Sequence, residues 1–193
     1  MCFSLSSFSQ HGLQINTYFP TSETAYAAHT SFGINYTYQY LDKYSKFRAF
    51  AKIGYIHYNI TDEPMHYLTI RTDLTSITAL PSEYHIEKFN SIPIGIIFEY
   101  KFLNTVKLSP VAGIELLAGV NSIKYTDNIA TVSERSFEGY SFDYGFSLYV
   151  GSVYKLNKSF EITTKLGYKY AKDIELGKFT HVVLSIGLTY YNY

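Results

Sequence analysis

The amino-acid sequence predicts an all-β fold: an eight-stranded antiparallel up-and-down transmembrane β-barrel with short periplasmic turns and longer extracellular loops. First, apolar and polar residues alternate with a period of two in segment after segment, which is typical of strands with one apolar face. Second, the 193 residues include 21 Tyr and 14 Phe, which favour strands, and Tyr also suits membrane–water interfaces. Third, short and long connections alternate along the chain, as they do in membrane barrels.

The alternation defines each strand in turn. It predicts strands at residues 12–19, 30–40, 47–60, 90–102, 106–121, 140–154, 159–171 and 182–190. The third strand is the least regular, because Phe50, Ile56 and Tyr58 interrupt its polar face. The last strand is the most regular, and its apolar face consists of Val182, Leu184, Ile186, Leu188 and Tyr190.

The connections between these strands follow a second pattern. The second, fourth and sixth connections are short, whereas the third and fifth are long, at 61–89 and 122–139. Within the third connection, residues 67–75 and 84–87 alternate like strands, and we expect them to extend a hairpin beyond the membrane. In an even-numbered barrel both termini lie on the periplasmic side, where the short turns also lie.

The amino terminus differs from the rest of the chain. Residues 1–10 read M-C-F-S-L-S-S-F-S-Q and resemble the tail of a secretory signal peptide, with Ser7-Phe8-Ser9 as a small-x-small cleavage site before Gln10. We therefore expect a signal-peptide remnant at 1–10 and the barrel domain at 11–193. The single cysteine, Cys2, excludes an internal disulfide.

The volume of the barrel indicates which face points inward. Side chains fill the interior of an eight-stranded barrel, and five or six large apolar residues from nearly every strand would overfill it. The polar face is rich in Gly, Ser and Thr and suits a narrow lumen. On this register it also carries compensating charges, from Arg48, Lys52, Glu99, Lys101, Lys107, Glu115, Asp143, Glu161, Lys165 and Lys169. The sequence thus favours a lumen plugged by charged side chains, with the apolar face toward lipid.

Five motifs lie in the predicted strands and turns: I-P-I-G-I-I-F-E-Y-K-F at 92–102, S-P-V-A-G at 109–113, Y-K-L-N-K-S-F at 154–160, L-G-Y-K-Y at 166–170 and L-S-I-G-L-T-Y at 184–190. They resemble outer-membrane β-barrel proteins of Bacteroidetes-type bacteria, the PorT-like family in particular. The resemblance implies insertion by the barrel-assembly machinery, which reads a terminal strand ending in an aromatic residue. Here that signal would be the apolar face of the last strand, ending at Tyr190.

Residues that could carry catalytic chemistry are few. Glu83, His85 and Glu87 cluster in the third connection, but a metal site normally needs three or more converging ligands, so a solvated loop is the simpler interpretation. His57 resembles one member of a lipid-modifying triad, yet its register places it at the membrane rim. No G-x-S-x-G, phosphate-binding glycine loop or H-E-x-x-H occurs. The sequence predicts neither an enzyme nor a cofactor.

These observations favour a small outer-membrane barrel with a structural or interaction role, in envelope assembly or protein secretion if the family resemblance holds. Its expected partners are outer-membrane lipid, the barrel-assembly machinery and an envelope protein that binds the loops at 61–89 and 122–139. Sixteen basic and sixteen acidic residues cancel, which argues against nucleic acid. Two alternatives stay open at this point: a narrow pore or transporter, and a soluble lipocalin-like ligand carrier.

Overall fold

The computed structural model describes residues 9–21, 29–39, 45–60, 65–73, 76–103, 107–129, 135–174 and 177–192. Within these ranges the chain forms nine strands. They are β1 (Ser9–Pro20), β2 (Ser31–Gln39), β3 (Phe47–Tyr58), β4 (Met65–Asp73), β5 (Ser76–Lys101), β6 (Leu108–Ile129), β7 (Arg135–Lys155), β8 (Phe160–Asp173) and β9 (Gly177–Asn192). Among the same residues, no helix is long and apolar enough to cross a membrane.

Eight of these strands close into an antiparallel barrel. The strand order is β3-β2-β1-β9-β8-β7-β6-β5, and pairing between β3 and β5 closes the circle. The first and last strands pair along their length, from Ser9 opposite Asn192 to Pro20 opposite His181. Within the described residues, β4 pairs with β5 alone. The predicted eight-stranded up-and-down barrel is therefore confirmed, and β4 is an addition to it.

The apolar face of the barrel points outward. Ile15 and Val150 each expose 62% of their surface, whereas Glu99 in the lumen exposes 1%. The exposed aliphatic side chains form the middle of an outer band, from Leu13, Ile15, Ile34, Ile53, Ile94, Ile96, Ile114, Leu116, Leu148, Val150, Leu166, Leu184, Ile186 and Leu188. A soluble carrier would need the reverse arrangement, with its apolar face around a ligand in the lumen, so that alternative is wrong.

Aromatic side chains border this band on both sides. Near the end that carries both termini, the lower end, lie Phe47, Tyr100, Phe102, Tyr154 and Tyr190. Near the opposite, upper end lie Phe19, Phe32, Tyr55, Tyr140, Phe142, Tyr144 and Tyr168. Membrane barrels carry such aromatic belts at the two interfaces, where the rings sit among lipid headgroups.

Three strands are much taller than a membrane requires. β5, β6 and β7 contain 26, 22 and 21 residues, whereas crossing a bilayer takes about 9–11 residues per strand. Above the band, β4 and residues 76–88, 122–129 and 135–141 continue as one antiparallel sheet, here named the upper sheet.

The upper sheet corrects the prediction of loops at 61–89 and 122–139. Both segments are mostly strand, and the strand-like pattern noted at 67–75 corresponds to β4, Met65–Asp73. The alternation of apolar and polar residues weakens here because most of the sheet lies above the apolar band, where lipid does not impose it, while backbone pairing with neighbouring strands continues.

The first and last strands of the chain also extend further than the sequence predicts. β1 begins at Ser9, so Ser9 and Gln10, assigned above to the signal remnant, pair with Asn192 and Tyr191 of β9. Residues 1–8 lie outside the described part of the chain, and the signal peptide stays a prediction. β9 begins at Gly177, whose φ of 89° favours glycine, so residues 172–173 and 177–181, which lie between the last two predicted strands, are also strand.

The short turn between β7 and β8, at the lower end, is stabilised by a side chain. The Asn157 side-chain oxygen accepts hydrogen bonds from the backbone N–H groups of Ser159 and Phe160, at 2.8 and 2.9 Å. Asparagine favours tight turns for this reason, because its side chain replaces a backbone acceptor.

Candidate functional site: the lumen of the barrel

Ion pairs fill the lower part of the lumen. Arg48 on β3 lies directly opposite Glu99 on β5, and its Nη2 donates to Glu99 Oε1. Its Nη1 lies 3.4 Å from Glu161 Oε2 on β8, across the lumen. Lys101 Nζ is 3.2 Å from Glu161 Oε1, and Lys165 Nζ is 2.8 Å from Glu99 Oε2. We call these five residues the lower network.

Two tyrosines complete the lower network. The Tyr149 hydroxyl donates to Glu99 Oε2 at 3.0 Å, and the Tyr191 hydroxyl donates to Glu161 Oε2. Each carboxylate therefore accepts hydrogen bonds from two cations and one phenol. Such complete pairing is what makes buried charges tolerable, since an unpaired buried charge costs several kcal/mol. Tyr191 follows the predicted end of the last strand, so sequence reasoning missed its role.

Glycines on the lumen face give these large side chains room. A Cβ atom at Gly113 would lie 2.6 Å from Tyr149 Cζ and 2.6 Å from the carbonyl oxygen of Phe98. The Tyr149 ring therefore lies directly against the β6 backbone. Any larger residue at Gly113 would displace the ring from Glu99.

A separate ion pair spans the middle of the lumen. Lys52 Nζ on β3 lies 2.5 Å from Glu115 Oε1 on β6, reaching past Gly95 on the strand between them. Beside this pair is a cavity of about 30 Å³, and a second cavity of about 10 Å³ lies next to Arg48 and Glu99. Cavities of this size hold one or a few water molecules.

Aromatic side chains fill the upper part of the lumen. Tyr58 and Phe89 stack with ring centroids 4.5 Å apart, and Phe179 lies 5.5 Å from Phe89. The full cluster, here named the aromatic plug, contains Tyr18, Ile56, Tyr58, Phe89, Leu117, Ile123, Ala171 and Phe179. His181 is buried beside it, with its ring centroid 5.7 Å from Tyr58. The residues that interrupt the polar face of strand three are therefore lumen residues.

The charges buried in the described part of the chain balance. Nine of the ten predicted lumen residues are buried, and Lys107 is not: it lies before β6, exposed, with its Nζ 5.1 Å from the centre of the Tyr154 ring. Asp173, which the sequence placed in a loop, is fully buried. The total becomes five cations (Arg48, Lys52, Lys101, Lys165, Lys169) and five carboxylates (Glu99, Glu115, Asp143, Glu161, Asp173).

His57, a further candidate from the sequence, lies outside the lumen. His57 is exposed, and its Nδ1 lies 2.8 Å from Asn90 Oδ1, which also accepts a hydrogen bond from Tyr55. Within the described residues, no group of three or more His, Cys, Asp or Glu side chains could hold a metal ion. The side chain of Glu83 lies outside the described part of the chain.

One surface ion pair belongs to the upper sheet. Lys124 pairs with Glu87, and the Thr126 hydroxyl donates to the same carboxylate. The hydrogen bonds from Lys124 and Thr126 hold the pKa of the Glu87 carboxyl below its ordinary value of 4.5, and the same pair raises the pKa of Lys124. At neutral pH the Glu87 carboxylate is therefore ionised and bound to Lys124 and Thr126 on β6.

Comparison with solved structures identifies the fold. Neisserial surface protein A (NspA) is similar with a TM-score of 0.51 at 15% sequence identity, over 95% of each chain. A major outer membrane protein from Thermus thermophilus is similar with a TM-score of 0.50 at 12% identity, over 95% of this chain and 99% of that one. The fold is that of a bacterial outer-membrane β-barrel. No protein-family model and no curated protein matches the chain.

The outer surface agrees with that fold. The five residues of the predicted insertion signal, from Val182 to Tyr190, all lie on the outward face of β9. Together with the two aromatic belts they make a surface suited to the bacterial outer membrane.

Proposed function

We propose that this protein is a closed barrel of the outer membrane with a structural or interaction role, acting through surfaces outside its lumen. The observation that carries the proposal is the double closure of the lumen, by the lower network at one end and by the aromatic plug at the other. The described lumen residues line cavities of about 30 and 10 Å³. The proposed role is not enzymatic and uses no cofactor.

A narrow pore is less well supported. Transport would have to break the ion pairs of the lower network, and removing one partner of a buried pair costs about 3–5 kcal/mol. It would also have to displace the stacked rings of Tyr58 and Phe89. Both barriers lie in series along the same path, so an open state would need a large rearrangement.

The upper sheet is the surface best placed to bind an envelope partner. It continues β5, β6 and β7 upward from the aromatic belt, and it exposes Lys88, Ser122 and Glu138. It includes most of the two segments, 61–89 and 122–139, in which the sequence predicts the contact surface. A part in envelope assembly or protein secretion rests on the resemblance to the PorT-like family.

The membrane partners follow from the outer surface. Lipid would contact the apolar band between the aromatic belts, and the barrel-assembly machinery would read the outward face of β9. Closure of the barrel depends on that strand, because β9 pairs with both β1 and β8.

Site-specific photo-crosslinking in intact cells tests the interaction role. A photoreactive amino acid at Lys88 or Glu138, on the upper sheet, should give a discrete adduct with one envelope protein. The same amino acid at Leu156 or Lys158, exposed in the short turn at the lower end, is the matched control and should not give that adduct. Heat-modifiable gel mobility checks that each variant is folded.

Two results would contradict the proposal. One is the absence of any discrete adduct at the upper positions in folded protein. The other is an identical adduct from the upper and lower positions, which would place the contact outside the upper sheet.

A further inference from the structure

A cluster of buried side-chain oxygen atoms lies on the lumen face of β5 to β8. Ser91, Asn121 and Ser141 are directly opposite one another on β5, β6 and β7, and Asp143 is directly opposite Asp173 on β8. All five residues are buried. The cluster belongs to neither the lower network nor the aromatic plug, so the proposed closure does not account for it.

Hydrogen bonds within the cluster leave several oxygen atoms without a partner. Asp173 Oδ2 accepts from Asn121 Nδ2 at 2.6 Å and from Ser141 Oγ at 2.5 Å. Asp143 Oδ1, Asn121 Oδ1 and Ser91 Oγ are buried and have no hydrogen-bond partner among the described residues. Burying polar atoms without a partner is unfavourable. The cluster therefore has the capacity to bind a further group.

Two of these oxygen atoms lie together over the lumen face of Gly119. A Cβ atom at Gly119 would overlap Asp143 Oδ1 and would lie 3.2 Å from Ser91 Oγ. Gly119 and Asp143 are opposite each other on β6 and β7, and Asn121 is the next lumen-facing residue on β6. The missing side chain of Gly119 thus makes room for the Asp143 carboxylate, whose Oδ1 lies where a Cβ atom would be and on the same side of β6 as Ser91 Oγ.

Two carboxylates concentrate negative charge around these oxygen atoms. Asp143 and Asp173 occupy directly opposite positions on β7 and β8, and Asp143 forms no salt bridge with any described residue. One buried cation, Lys169, acts electrostatically on Asp143, while its Nζ lies 3.5 Å from the Tyr58 hydroxyl and 5.4 Å from the centre of the Tyr18 ring. The free oxygen atoms therefore suit a bound cation better than a bound anion.

We propose that this cluster binds a calcium ion. Ca²⁺ takes about six to eight oxygen ligands from carboxylates, amide carbonyls and neutral oxygens in flexible geometry. Asp143, Asp173 and Asn121 supply carboxylate and amide oxygens, and Ser91 and Ser141 supply hydroxyls. The existing hydrogen bonds are compatible with binding, because Asn121 donates through Nδ2 and keeps Oδ1 for the ion. Zn²⁺ prefers nitrogen and sulfur ligands, which the cluster lacks.

Calorimetric titration of the whole folded barrel in zwitterionic detergent with CaCl₂ tests the site. The expected result is one saturable site with a Kd of about 10⁻⁴–10⁻³ M, as for extracellular calcium modules. Asp143→Asn should weaken binding by about tenfold or more, because charge count sets calcium affinity. Gly119→Ala keeps all five ligand residues and should abolish binding, since its methyl group would displace Asp143 Oδ1. Glu138→Gln, an exposed carboxylate on β7, is the control and should leave binding unchanged.

The outcomes are decisive in both directions. Absence of saturable binding up to about 10 mM, above the weakest range expected for such sites, would overturn the proposal. Binding that persists in both Asp143→Asn and Gly119→Ala would overturn it as well. Equal binding of Mg²⁺ or Na⁺ at the same concentration would reject the calcium assignment. If Asp143→Asn does not fold, as judged by heat-modifiable mobility, Ser91→Ala takes its place and should weaken binding.

Discussion

Arg48 and Glu161 lie on strands that are not neighbours, yet their side chains meet across the lumen with Nη1 and Oε2 3.4 Å apart. The same guanidinium also binds Glu99 on the adjacent strand. One residue thus joins two carboxylates from opposite walls of the barrel, and each carboxylate is shared with a lysine. Arginine suits this position because its planar group donates in several directions, whereas an ammonium is a point charge.

Arg48→Ala should destabilise the barrel strongly, because it leaves Glu99 and Glu161 each with one cation. The expected loss is about 3–5 kcal/mol in the free energy of unfolding, measured by urea unfolding in detergent micelles. Arg48→Lys should recover only part of it. Lys46→Ala, an exposed position two residues away, is the control. A loss in Arg48→Ala no larger than in the control would contradict the role of the network.

Lys52 and Glu115 should behave as one unit. Either single alanine substitution leaves a buried charge unpaired, whereas the double substitution removes both charges. A double-mutant cycle should give a coupling energy of about 0.5–3 kcal/mol, the range for directly interacting residues. Additive losses would mean that the two groups do not interact in the folded barrel.

Phe89→Ala should leave a cavity at the centre of the aromatic plug. Loss of the ring that stacks on Tyr58 should cost about 3–5 kcal/mol of stability, as for other buried aromatic residues. Phe32→Ala, at an exposed position on the outer face, controls for loss of a lipid-facing aromatic side chain. If the two variants lose equal stability in the same detergent, Phe89 is not part of a packed plug.

Substitution by alanine should destabilise the barrel at Gly113 but not at Gly139. Gly113→Ala forces a Cβ to within 2.6 Å of Tyr149 Cζ and of the Phe98 carbonyl oxygen, and overpacking of this kind costs about 1–3 kcal/mol. Gly139→Ala meets nothing within 4 Å and should be neutral or slightly stabilising. Both variants are compared by urea unfolding, and equal effects would contradict the close contact at Gly113.

The Glu87 carboxyl should titrate below its ordinary pKa of 4.5, because Lys124 and Thr126 bind its ionised form. A group with a lowered folded pKa contributes stability above its unfolded pKa, and that contribution disappears as the pH falls through the folded pKa. NMR titration of Glu87 should therefore show a low pKa that rises toward 4.5 in Lys124→Ala. An unchanged pKa in that variant would exclude the ion pair.

Period-two alternation predicted most of the barrel, because lipid on one side and a narrow lumen on the other impose opposite chemistry on successive residues. The rule weakened where one of those environments was missing. β6 extends to Ile129, and β7 begins at Arg135. These ends lie above the apolar band, where lipid does not impose alternation, so the sequence predicted a loop there. Inside the upper lumen, Ile56 and Tyr58 pack in the aromatic plug. Both continue the alternation of Arg48 and Lys52 along β3, and this position in the alternation could have identified them as lumen residues.

The sequence predicted which charged residues face the lumen, but it did not predict which of them form ion pairs. Register indicates which side chains face the lumen, whereas strand tilt and closure decide which of them meet, as Arg48 meets Glu161 across the barrel. Lys107 and Asp173, both at or next to strand ends, show where prediction from the register fails. A small difference in where a strand begins or stops moves a charge out of the lumen or into it.

Single-channel recording in planar bilayers tests the closed lumen most directly. The folded barrel, with insertion verified by heat-modifiable mobility and protease protection, should show no steady conductance, because the lower network and the aromatic plug close the same path in series. A reproducible, steady open-channel current from the unmodified protein would contradict the closed lumen and would favour the pore.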